Sequence, residues 1–146
     1  MELPLDAEML IPHRKPMCLI ECLNASDGKS GSASARFTVN SFFVVDRKGR
    51  VEQLALLELI AQTYAASKGY EDLVDDIDVS QGYLVGISNA VYYGDAYVGQ
   101  DLLIKVESKE AFDAFHLAAG EVWQDKTLLM EATLKIWISS ENTRQA

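Results

Sequence analysis

One acid stands alone in the most apolar stretch of this chain. From Leu54 to Ala66 the sequence reads Leu-Ala-Leu-Leu-Glu-Leu-Ile-Ala-Gln-Thr-Tyr-Ala-Ala, and Glu58 is its only carboxylic acid. An ionised carboxyl enclosed by Leu, Ile and Ala is costly and tends to take up a proton. Glu58 is therefore either a helix-edge residue that meets water or a satisfied partner, or a carboxyl of raised pKa lining an apolar slot and able to give a proton near neutral pH. Gln62 follows four residues on. At that spacing it shares a helix face with Glu58, within reach of it or of whatever it touches. The chain has two histidines. His13 lies in Leu10-Ile-Pro-His-Arg-Lys-Pro-Met17, between Pro12 and Pro16, where the prolines favour a rigid extended segment. It reads as a surface loop residue or as a positioned base. His116, in Phe112-Asp-Ala-Phe-His-Leu-Ala-Ala119, reads as a structural or partly exposed strand residue. Cys18 and Cys22 fall in a segment that reads as a strand, which would hold their Cα atoms roughly 13 Å apart, too far for a disulfide. They are expected to be small buried side chains, and no ligand spacing suggests a metal.

These groups need elements to hold them. Glu52 to Lys68 has the pattern of a helix, with Gly69 as its expected C-terminal stop. Its middle is apolar on nearly all sides, so something must wrap around it. The period-two alternation of Leu128, Met130, Ala132, Leu134, Ile136 and Ile138 predicts a long last strand. Phe112 to Trp123, joined to it through Gln124-Asp125-Lys126, completes a hairpin. Tyr83 to Ile87 and Leu102 to Glu107 supply two more strands, and Met17 to Leu23 with Ser32 to Val39 flank the turn Asn24 to Lys29. About six antiparallel strands curled around one helix make an α+β fold. Glu71, Asp72, Asp75, Asp76 and Asp78 read as a solvated acidic loop without chemistry.

The 146 residues suit a single domain spanning 1–146. With 49% hydrophobic and 24% charged residues the chain is expected to fold unaided. A formal charge of -9 has the wrong sign for phosphate neutralisation, so nucleic acid is not expected as a partner. No run approaches 18 apolar residues, and Met1-Glu-Leu-Pro-Leu-Asp-Ala-Glu8 is acidic where a signal peptide would be basic. The expectation is a cytoplasmic protein without a membrane partner.

Four segments in order along the chain carry a family resemblance. They are Ile11-Pro-His-Arg-Lys-Pro-Met-Cys-Leu-Ile20, Leu56-Leu-Glu-Leu-Ile-Ala-Gln62, Tyr83-Leu-Val-Gly-Ile87 and Val98-Gly-Gln-Asp-Leu102. Together they resemble the hotdog-fold 3-hydroxyacyl-[acyl carrier protein] dehydratases. The nearest resemblance is to the divergent dehydratase-like proteins of fatty-acid-like and aryl polyene biosynthesis, through Phe43-Val-Val-Asp-Arg-Lys-Gly-Arg50. The resemblance implies a hotdog domain that pairs with another hotdog chain, as a homodimer or a hetero-oligomer. It implies thioester substrates on acyl carrier protein or coenzyme A, and no cofactor or metal. It supports Glu58 as the helix carboxylate, with Gln62 and Gly86 near the substrate.

The chain departs from the family pattern at one point. The family's usual base is a histidine about fourteen residues before the helix carboxylate; that position is Val44, and Phe42 to Gln53 contains neither His nor Pro. His13 matches a different family histidine and is the remaining candidate base. The implied reaction is loss of water from a 3-hydroxyacyl thioester: a base takes the C2 proton, Glu58 protonates the departing hydroxyl, and N–H groups at the helix N-terminus steady the thioester oxygen. Two alternatives stay open, a silent dehydratase-like subunit that binds acyl chains or supports an active partner, and a hotdog acyl thioesterase. Arg14, Lys15, Arg47, Lys48 and Arg50 place five of the thirteen basic residues in two short segments, either ordinary solvated loops or a docking patch for an acidic carrier protein.

Overall fold

The computed structural model describes residues 2–77 and 81–139. Seven strands form one antiparallel sheet: β1 (Leu5–Asp6), β2 (Cys22–Ser26), β3 (Ser30–Ala35), β4 (Gln81–Tyr92), β5 (Leu102–Phe112), β6 (Phe115–Gln124) and β7 (Thr127–Ser139). Their order is β1-β2-β3-β5-β6-β7-β4, and the single long helix α1 (Gln53–Val74) packs on one face. Alternation along the strands decides which side chains meet it. Ile104 and Val106 of β5, Ala118 and Val122 of β6, and Leu134 and Ile136 of β7 point inward against Leu56, Leu59 and Ile60. Full burial of such side chains contributes about 1.5–3 kcal/mol each. Contact is closest at Gly120, where a Cβ would stand 2.2 Å from Ile60 Cγ2.

The helix is longer than its sequence pattern. Gly69, expected to end it, lies inside α1, which runs on to Val74. A Cβ on Gly69 would come within 2.4 Å of the Leu10 carbonyl oxygen. The glycine thus marks where the N-terminal segment crosses the helix. Glu71 and Asp72 consequently belong to the last helical turn, Asp75 and Asp76 to the turn after it, and Asp78 lies outside the described residues.

Strand limits also shift. β4 continues beyond Ile87 to Tyr92, with register breaks at Leu84/Gly86 and Ser88/Val91, and β5 continues beyond Glu107 to Phe112. The turn Asp113–Ala114, with Asp113 at φ 53°, then leads into β6. The strand expected from Met17 begins only at Cys22. Its preceding backbone groups have another partner: the Gln62 side chain accepts from the Leu19 and Ile20 N–H groups and donates to the Met17 carbonyl. Cys18 therefore sits outside the sheet, and both cysteines are free, half-buried thiols whose ionisation burial pushes upward.

Candidate active site

One stripe of α1 faces a slot rather than the core. Glu58, Ala61, Gln62, Ala65 and Lys68 recur at helical spacing, a run of about 15 Å along the axis. Opposite them stand Gly82 and Leu84 of β4 and Ile136 and Ile138 of β7, and His13 closes one end of this cavity of about 280 Å³. The walls are apolar and the polar groups are few, which suits an acyl chain with one reactive end.

That end is built by three residues. His13 Nε2 lies 3.7 Å from Glu58 Oε2, and both side chains are 34% exposed, so the carboxyl is half-buried. Gln62, 1% exposed, donates from Nε2 to the same Oε2 at 2.9 Å and to the Met17 carbonyl at 2.7 Å. Its Oε1 accepts from the Leu19 N–H at 2.8 Å and, more weakly, from Ile20 at 3.4 Å. One amide therefore fastens the segment that follows His13 onto the helix turn that carries Glu58. The other ring nitrogen of His13, Nδ1, is buried with no hydrogen-bond partner among the described residues. Nε2 is the ring nitrogen that faces Glu58.

At the other end Tyr64 is buried, its hydroxyl 3.2 Å from His116 Nδ1 and accepting from Ser108 Oγ at 3.4 Å. Lys68 Nζ lies 5.5 Å from the Tyr64 ring centroid and 3.6 Å from Glu71 Oε1. Burial, reinforced by the Lys68 charge, pushes the His116 pKa below its ordinary value. His116 is thus a strand residue turned inward, tied to the helix through Tyr64. Among the described residues no three His, Cys, Asp or Glu side chains gather as metal ligands would.

The model of the ApeP-like family, described as ApeP dehydratase, matches residues 5–145. The chain belongs to the ApeP-like dehydratase family. No curated protein matches its sequence significantly. Among solved structures it is similar to the dehydratase heterocomplex ApeI:P from Xenorhabdus doucetiae, with TM-score 0.85 and 18% identity over 97% of this chain and 95% of that one. It is also similar to a hypothetical thioesterase with coenzyme A from Streptococcus pneumoniae, with TM-score 0.64 and 11% identity over 80% and 84% of the two chains. A third likeness is to the PaaI protein of E. coli, from the phenylacetic acid degradation operon, with TM-score 0.63 and 9% identity over 79% and 80%. The fold is the hotdog fold, with α1 as its central helix.

In this ApeP-like chain the residues singled out from sequence fall into three groups. Glu58, Gln62 and His13 converge at the slot. Gly86 does not line it; the register break after Leu84 sets Gly86 opposite Lys135. The basic segments are surface turns with local ties. Arg14 donates to the Ile11 and His13 carbonyls at 3.0 and 2.7 Å, and Arg50 Nε meets Asp46 Oδ2 at 3.2 Å, while Lys15, Arg47 and Lys48 are exposed. Val44, the position where the sequence resemblance led to an expected histidine, forms an isolated bridge with Val51 and has no proton to exchange. Ala61, Ala65 and Lys68 were missed as slot residues. Their spacing from Glu58 was legible as one helix stripe, but nothing local distinguished a slot-facing stripe from a core-facing one.

Proposed function

We propose that the chain dehydrates 3-hydroxyacyl thioesters to 2-enoyl thioesters, with the acyl chain lying along the α1 slot. The observation that carries this reading is the His13–Glu58 pair, 3.7 Å apart at the end of an apolar cavity. His13 Nε2 removes the C2 proton, the C3–O bond breaks as Glu58 protonates the departing hydroxyl, and the electron pair released at C2 forms the C2=C3 double bond. The reaction leaves an imidazolium beside a carboxylate, and transfer of the Nε2 proton to Glu58 restores both groups. The first turn of α1, which has no side-chain cap, offers N–H groups for the thioester oxygen. Acyl carrier protein is the proposed carrier, met by exposed Lys15, Arg47 and Lys48.

The active particle in this proposal contains a second hotdog subunit. β4 is a sheet edge of twelve residues, and Tyr83, Leu84, Val85, Ile87 and Val91 on it are each at least 40% exposed. Such an edge is a pairing hazard unless another chain covers it. The similar ApeI:P structure is a heterocomplex, which supports a different hotdog chain as the partner.

One observation favours a second reading, a silent subunit that binds acyl chains beside an active partner. A base at Nε2 carries its ring proton on Nδ1, and Nδ1 has no acceptor among the described residues. The deciding assay incubates the purified chain, alone and with a second hotdog dehydratase, with 3-hydroxyacyl and 2-enoyl thioesters of acyl carrier protein and coenzyme A. Interconversion by the chain alone supports the enzyme. Turnover only in the mixture, unaffected by Glu58→Gln, supports the silent subunit, and release of free thiol would make the chain a thioesterase.

A further inference from the structure

Charged side chains line the slot only near its two ends. Glu58 and His13 form one end, and ten residues further along α1, about 15 Å away, Lys68 forms the other. The proposed dehydration uses nothing there. Lys68 is nevertheless a held group, because its Nζ lies 5.5 Å from the Tyr64 ring centroid and 3.6 Å from Glu71 Oε1, with the side chain 26% exposed. A ring face on one side and a carboxylate on another fix the ammonium more firmly than an open surface fixes a lysine.

The other polar group at this end is already committed. The Tyr64 hydroxyl accepts from Ser108 Oγ at 3.4 Å and lies 3.2 Å from His116 Nδ1, which in the neutral ring takes the tyrosyl proton. Burial, and then the Lys68 charge, favour that neutral ring. Tyr64 therefore gives the slot its ring and keeps its proton for the sheet. Lys68 differs: an ammonium carries three N–H donors, and among the described residues its one ion pair is with Glu71. Donors remain for a ligand in the slot.

The chemistry of those donors limits what can end there. A methyl end strips water from the ammonium and gives no acceptor in return, which is unfavourable for a charged donor. A carboxylate end meets a different obstacle. Glu71 already balances Lys68, and the surroundings resist a further negative charge: burial raises the Glu71 pKa, Lys68 opposes that rise, and Asp72 and Asp75 add to it. The phosphate of a carrier arm is disfavoured for the same reason. A neutral oxygen satisfies the donor and adds no charge. We propose that Lys68 reads the far end of the acyl chain and selects thioesters whose chain ends in a hydroxyl group over those ending in methyl or carboxylate. This inference rests on the dehydratase reading for the direction in which the chain lies, with its reacting carbons at Glu58 and its far end at Lys68.

Calorimetric titration of the whole chain tests this with saturated acyl thioesters, which cannot be dehydrated. They are long enough to span the slot, end in methyl, hydroxyl or carboxylate, and are made on both pantetheine and coenzyme A. The hydroxyl end should bind about tenfold or more tighter than the methyl end, the scale of a hydrogen bond to a charged group. That comparison needs no variant. Lys68→Met should abolish the difference and Lys68→Arg should keep it, while Glu71→Gln should favour the carboxylate end by about threefold relative to the hydroxyl end. A wild type that prefers methyl or carboxylate, or a hydroxyl preference that survives Lys68→Met, overturns the proposal. Equal loss for all three ends in Lys68→Met, confined to the coenzyme A series, would assign Lys68 to the phosphates of the carrier arm instead. Turnover of the matching 3-hydroxyacyl thioesters is read separately: turnover without an end preference sinks this inference and leaves the dehydratase reading standing, and an end preference without turnover does the reverse. A chain that binds none of the three ends overturns both.

Discussion

Gln62 donates its amide N–H to Glu58 Oε2 at 2.9 Å and cannot turn around to accept from it. Its carbonyl end is held by the Leu19 N–H and its amino end also meets the Met17 carbonyl, so a flip would break both bonds. The two Glu58 oxygens consequently differ. Oε2 accepts from Gln62, and in the proposed dehydration Oε1 is the oxygen left to exchange a proton with substrate. Gln62 is a positioning residue, setting the helix carboxyl and the His13 segment in one arrangement.

Gln62→Leu keeps the volume but strands buried backbone donors at Leu19 and Ile20. Each unsatisfied buried group costs about 1–3 kcal/mol, so a loss of about 2–4 kcal/mol is expected in urea unfolding. A loss below about 0.5 kcal/mol, within the range of neutral surface changes, would mean that water readily replaces the amide.

Glu58→Gln preserves shape and removes the transferable proton. Dehydration of a 3-hydroxyacyl thioester by the chain should fall to background while the unfolding midpoint stays within a few degrees. Near-wild-type turnover would remove Glu58 from the reaction.

His13→Ala removes the proposed base and should lower turnover by about 100-fold or more, the scale of general-base catalysis. KM should change far less, because the apolar walls that hold the acyl chain remain. Equal effects on both would indicate that His13 merely shapes the entrance.

Acid should weaken the fold through His116. Its folded pKa lies below the ordinary value of 6.5, since burial and then Lys68 disfavour the charged ring. Well above pH 6.5 the ring is neutral in both states and contributes no pH dependence. As pH falls through 6.5 the unfolded chain takes up the proton first, so stability declines until the folded pKa is passed. His116→Gln should flatten the stability profile between pH 7 and that lower limit; an unchanged slope would place the acid sensitivity elsewhere.

Gly69→Ala should reverse the usual sign of a mid-helix change. In an open helix Ala gains about 1 kcal/mol over Gly, but here the new methyl meets the Leu10 carbonyl oxygen at 2.4 Å. A destabilisation of about 1–3 kcal/mol is expected from chemical denaturation. Any gain in stability would show that the N-terminal segment can move away from the helix at little cost.

The one-helix, antiparallel-sheet architecture was legible in the sequence because it follows from local periodicity. The alternation from Leu128 to Ile138 is β7, and the apolar run around Glu58 is the buried middle of α1. Glu58 and Gln62 could be paired from sequence for the same reason, since four residues on a helix fix their relation regardless of what surrounds them. Gly69 misled because glycine signals both a helix stop and a close crossing, and only the approach of Leu10 distinguishes the two. Met17 to Ile20 misled because these residues find their hydrogen-bond partners by proximity: the Met17 and Cys18 N–H groups turn back to the Arg14 carbonyl, and Gln62, more than forty residues away, holds the Leu19 and Ile20 N–H groups and the Met17 carbonyl. The meeting of His13 with Glu58 and the Tyr64–His116 bond both join residues far apart in the chain. Their positions depend on strand register and on how the N-terminal segment folds back over the helix, which are decided by packing the whole core and not by any window of sequence.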